Sequence, residues 1–71
     1  MEQHTRLDDA VAILRFGTAL YPTSANLFDS LGEALEKKRD TAAAVLSYRR
    51  SLELNPKNAN AAARIAVLTA N

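Results

Sequence analysis

Apolar side chains recur at intervals of three and four along most of this chain, and each such run gives way to a short polar stretch. Ala10, Ile13, Leu14, Gly17 and Leu20 form the first stripe, which predicts a helix over about 7–20 with Asp8 and Asp9 in its first turn. Tyr21 precedes Pro22 and is biased out of helical geometry, which ends that element. Ser24 is placed to cap a second helix, about 24–38, with Leu27, Phe28, Leu31, Ala34 and Leu35 as its stripe and Lys37, Lys38 and Arg39 suited to its C-terminal end. Asp40 or Thr41 can cap a third, about 41–54, through Ala44, Val45, Tyr48, Leu52 and Leu54. Asn55-Pro56 repeats the stop, Asn58 repeats the cap, and a fourth helix is predicted over about 59–70 through Ala62, Ile65, Ala66 and Leu68. Connections this short make consecutive helices antiparallel neighbours.

The punctuation is periodic. Pro22 and Pro56 stand 34 positions apart, and at that offset the helix before each proline and the polar pair after it fall into register: Thr23-Ser24 in one copy, Lys57-Asn58 in the next. A period of this length implies helical hairpins stacked so that neighbours share a core. Gly17 and Gly32 lie inside predicted helices, where each costs about 1 kcal/mol relative to alanine, so close approach of a neighbouring helix is the expected reason for both.

Phe28, Leu31, Gly32, Leu35, Ala44, Tyr48, Ser51 and Pro56 follow the order of an aromatic, leucine-glycine, alanine, aromatic, small residue and proline, and on these residues the chain resembles the tetratricopeptide repeat. Leu35 replaces the usual tyrosine and Ser51 the usual alanine. The match covers one complete repeat, 25–58. Ala10, Leu14, Gly17 and Pro22 place 1–22 as the second helix of a preceding repeat, and Ala62, Ile65 and Ala66 place 59–71 as the first helix of a following one. The resemblance implies an all-α domain, a short right-handed superhelix of antiparallel hairpins whose first helices line a groove for peptides or extended segments of partner proteins. In that register the groove positions are Asn26, Asp29, Glu33, Glu36 and Lys37, then Asn60, Ala63, Arg64 and Val67. Spacings of three and four put Asp29, Glu33 and Glu36 on one face, so a partner presenting basic or polar groups is expected. Members that hold a chaperone's C-terminal carboxylate use a lysine, asparagine and arginine clamp. Only Arg64 stands at a comparable place here, and Asp29 would repel such a ligand. The stretch from Leu20 to Glu33 also resembles repeats found as C-terminal tails on bacterial serine hydrolases of the beta-lactamase-like group, which makes an accessory docking or oligomerisation segment of a larger enzyme the alternative reading.

Composition removes several other classes. The 71 residues are near the size at which one core supplies only about 3–5 kcal/mol, and with no cysteine neither a disulfide nor a thiolate metal site can add to it. Nine basic against eight acidic side chains give a formal charge of +1, which argues against nucleic-acid or anionic-membrane binding driven by global charge. The basic residues Lys37-Lys38-Arg39 and Arg49-Arg50 read as helix termination and a solvated face, since Asp40 interrupts them and no aromatic interleaves for base stacking. The polar start gives no signal peptide and no apolar run spans a bilayer, so a soluble chain is expected, with the cytoplasm favoured.

Catalytic chemistry finds no constellation, and neither cofactor nor metal is expected. His4 is the only histidine and precedes the first predicted helix; Ser24, Ser30, Ser47 and Ser51 have no nearby base and read as caps or solvated faces. Phe28 and Tyr48 read as core, each costing about 3–5 kcal/mol on truncation to alanine. The last helix carries Arg64 as its only charge among alanines and aliphatics, and the first lacks a partner hairpin, so self-association through exposed terminal helices, as a homodimer, is a further expectation. The sequence therefore reads as a non-enzymatic interaction or scaffold module.

Overall fold

Three side chains fix where three helices begin. Ser24 Oγ accepts the Leu27 N–H at 3.3 Å, Asp40 Oδ1 that of Ala43 at 3.3 Å, and Asn58 Oδ1 that of Ala61 at 3.1 Å. Each satisfies a donor that the first helical turn leaves without a backbone acceptor. The computed structural model describes residues 2–70, with side chains from Arg6 onward, as four helices: α1 Glu2–Leu20, α2 Ala25–Lys37, α3 Thr41–Leu54 and α4 Ala59–Thr69. There is no strand among the described residues, so the all-α class holds.

Seven of the eight helix ends fall within a residue of expectation, and the start of α1 does not. That helix starts at Glu2 instead of near residue 7, so His4 is part of a helix and Asp8 and Asp9 lie past the first turn. The expected apolar stripe begins at Ala10, but the residues before it include neither proline nor glycine, and an existing helix extends through such residues with one added hydrogen bond each.

The period seen in the sequence is repeated in backbone bonds. At the first junction the Tyr21 N–H donates to Gly17 O at 2.8 Å and the Ser24 N–H to Tyr21 O at 3.1 Å. At the second, Asn55 donates to Ser51 O at 2.8 Å and Asn58 to Asn55 O at 3.0 Å. The turn between α2 and α3 differs. Arg39 takes a left-handed conformation, φ 66°, while its N–H donates to Glu36 O at 2.9 Å and that of Asp40 to Leu35 O at 2.9 Å. These two bonds satisfy carbonyls at the end of α2 in the pattern that usually places glycine at the left-handed position.

The core consists of Val11, Leu31, Ala34, Leu35, Ala44, Tyr48 and Ala61, with Leu14, Ala43, Leu52, Ile65 and Leu68 packed around it. Each helix packs on the next in chain order. The resulting slab measures 35 × 33 × 15 Å, and its short dimension fits two helices stacked about 8–10 Å apart.

Packing corrects several expected faces. In α1, Val11 and Thr18 are buried, whereas Ile13 and Leu20 of the expected stripe are 70% and 57% exposed. In α4, Ala61 is buried and Ala62 and Ala66 are exposed. Ser47 and Ser51 are buried rather than solvated. Ser51 Oγ donates to Ala25 O at 2.8 Å and accepts from Asn58 Nδ2 at 2.9 Å, tying α3 to the starts of α2 and α4. Tyr48 is fully buried while Phe28 is only partly so, which confines the largest truncation cost to Tyr48.

The glycines also separate. A Cβ on Gly32 would stand 2.8–2.9 Å from three atoms of the Tyr48 ring, so close helix approach accounts for Gly32. A Cβ on Gly17 would lie 3.5–3.6 Å from the Leu27 methyl groups, an ordinary contact, so close approach does not account for Gly17.

Candidate partner-binding groove

The residues expected to line a groove lie on α2 and α4, and polar contacts bring the two helices together at two points. Asn60 Nδ2 donates to Asp29 Oδ1 at 3.0 Å and to Oδ2 at 3.3 Å. Four residues further along α4, Arg64 Nε donates to Glu36 Oε1 at 3.0 Å, and its Nη2 pairs with Glu36 Oε2. The second contact is bidentate, the geometry in which guanidinium and carboxylate hold each other most firmly.

Glu36 has a second partner. The Tyr48 hydroxyl, reaching up from α3, donates to its Oε1 at 2.9 Å. One carboxylate thus joins α2, α3 and α4. The Arg64 guanidinium holds the Glu36 carboxyl below the usual range, opposed by burial and assisted by Tyr48. Burial pushes the Tyr48 phenol up, and the neighbouring Glu36 pushes it further. The pair therefore stays carboxylate and neutral phenol around neutral pH, a combination poorly matched to general acid–base work.

Glu33, Glu36, Lys37, Tyr48 and Arg64 line an open depression of about 360 Å³. Glu33 and Lys37 are exposed at it; Asn26 on α2 and Ala63 and Val67 on α4 are also exposed but do not line it. The acidic character expected from Asp29, Glu33 and Glu36 is reduced at Glu36, which faces the Arg64 cation, while Asp29 accepts from the neutral amide of Asn60 and keeps its charge. Glu33 is the carboxylate of the three that keeps an exposed position with no such pairing. Arg64 is likewise engaged by Glu36.

Sequence reasoning assigned Tyr48 to the core alone and missed its hydroxyl on the groove floor. The available signal was its chemistry: a buried tyrosine needs a partner for its O–H, which phenylalanine would not. The basic residues elsewhere disperse into separate contacts. Lys38 Nζ pairs with Asp8 Oδ1 at 2.6 Å, and Arg50 pairs with Glu53 at 3.0 Å while standing 5.9 Å from the Phe28 ring centre. Among the described residues no three metal-ligating side chains cluster, and no helix is long and apolar enough to cross a membrane. No family model, curated protein or solved structure matches the chain.

Proposed function

We propose that this chain is a non-enzymatic interaction module of the tetratricopeptide type, a short right-handed superhelix that receives an extended protein segment in the groove between α2 and α4. The observation that carries the reading is the alignment of Asp29 with Asn60 and of Glu36 with Arg64, which links α2 to α4 in the way that the first helices of two successive repeats would be linked. The depression beside them is open and polar, and exposed Glu33 and Lys37 at it can pair with polar groups of a bound segment. Exposed Glu33 and partly exposed Asp29 favour a segment bearing lysine or arginine, while Lys37 at the same depression limits how basic it should be.

The test is NMR titration of the labelled chain with extended peptides of graded charge. Peptides carrying isolated lysines are expected to shift the amides of Asn26, Asp29, Glu33, Asn60, Ala63 and Val67, and Glu33→Lys is expected to abolish those shifts. Shifts confined to other faces, or unchanged by Glu33→Lys, would remove the groove reading.

A further inference from the structure

We propose that the outer face of α4 receives α1 of a second copy of this chain, head to tail, repeating between molecules the packing of α2 on α3. The 34-residue register equates α4 with α2 and α1 with α3. Among the contacts between α2 and α3, the Tyr48 ring lies over Gly32 and Arg50 lies over Phe28. At the equivalent places α4 carries Ala66 for Gly32 and Ala62 for Phe28, while α1 carries Leu14 for Tyr48 and Phe16 for Arg50.

The first pair exchanges size across the interface: glycine against tyrosine becomes alanine against leucine, so a methyl fills the space that the smaller partner vacates. Surfaces that meet must keep their summed volume, and this pair does. The second pair becomes alanine against phenylalanine, both apolar and both exposed in a single copy, where α2 and α3 carry phenylalanine against arginine.

Exposure supports the same assignment. Ala44, Tyr48 and Ser51 of α3 are completely buried, yet their equivalents Ala10, Leu14 and Gly17 in α1 are only partly so. Ser47 is buried, and its equivalent Ile13 is 70% exposed; Phe16 is 66% exposed. In α4, Ala61, Ile65 and Leu68 turn toward the core, while Ala62 and Ala66 stay exposed, as the equivalents of residues that α3 covers in α2. No charged side chain lies among the pairing positions, and Arg64 on α4 is held by Glu36 on a different face. Helical spacing sets Ala62 and Ala66 well round the helix from Asn60 and Arg64, so the contact is independent of the groove.

The interface joins two different surfaces, so it propagates instead of closing on a pair unless the rotation happens to form a ring. In this proposal the homodimer expected through the terminal helices is the first step of a head-to-tail assembly. Sedimentation velocity over a concentration series tests it. The weight-average mass of the chain should rise past twice the 7.7 kDa of one copy. Phe16→Glu and Ala66→Glu, both at exposed positions and checked for retained helicity by circular dichroism, should each sediment as monomers. Mixed in equal amounts they should form a dimer and nothing larger, because each variant keeps the surface that the other has lost. A monomeric parent chain at every concentration overturns the proposal and leaves these faces to another partner. A variant that associates as the parent does overturns it in favour of a symmetric contact, and a mixture that stays monomeric overturns it as well.

Discussion

Two glycines in similar helical settings have opposite reasons for being glycine. At Gly32 the neighbour is a fully buried tyrosine ring held by Glu36, which cannot withdraw without losing its hydrogen bond. Gly32→Ala should destabilise by about 1–3 kcal/mol despite its better helix propensity, because overpacking outweighs the propensity gain. At Gly17 the neighbouring leucine stands at ordinary contact distance, so Gly17→Ala should stabilise by about 0.5–1 kcal/mol. Urea denaturation of the two variants checks both signs; the same sign for both would contradict the packing described. The sequence marked both residues as requiring smallness, since helix position alone cannot report how far a neighbour stands.

At the scale of the element, the end of α2 is the least economical junction. The turn that carries the chain into α3 needs a left-handed residue, and Arg39 supplies it at φ 66°. A side chain in that conformation costs about 1–2 kcal/mol relative to glycine, partly offset by glycine's greater freedom in the unfolded chain. Arg39→Gly is therefore expected to raise stability by about 0.5–1 kcal/mol, measured by thermal and urea unfolding, without altering the helical signal. A loss of stability would mean that the arginine side chain contributes more than its backbone costs. The other helix boundaries were legible because local chemistry decides them. Serine, aspartate and asparagine cap within four residues of themselves, and proline constrains its immediate predecessor. The start of α1 was less legible, because a polar segment with neither proline nor glycine carries no apolar stripe and no breaker to mark it.

Across the whole molecule, Glu36 joins three of the four helices and links stability to pH. Its carboxyl is held below the ordinary value of 4.5 in the fold and returns to that value on unfolding. Its contribution is thus fully present above about pH 4.5 and is lost as pH falls through the folded-state value. Urea midpoints measured across the acid range should decline less steeply for Glu36→Gln than for the parent chain. Equal slopes would mean that the Arg64 and Tyr48 contacts do not persist in solution. The same residue shows how far the site could be read in advance. Register and the resemblance placed Asp29, Glu33, Glu36, Asn60 and Arg64 near one another, but whether each faced a partner or a neighbour depended on distances between helices.

The sequence by itself determined the number of helices, their caps, the two proline junctions and the 34-residue period, since each follows from contacts within a few residues or from the repetition of such contacts. Only the tertiary structure decided which side of each helix is buried, which glycine is required, and that Glu36 is neutralised internally while Glu33 stays exposed. The physical reason is that a helical stripe specifies a direction and not its distance to the next helix. Burial and charge pairing are set by that distance, through Tyr48 resting on Gly32 and Arg64 reaching across to Glu36.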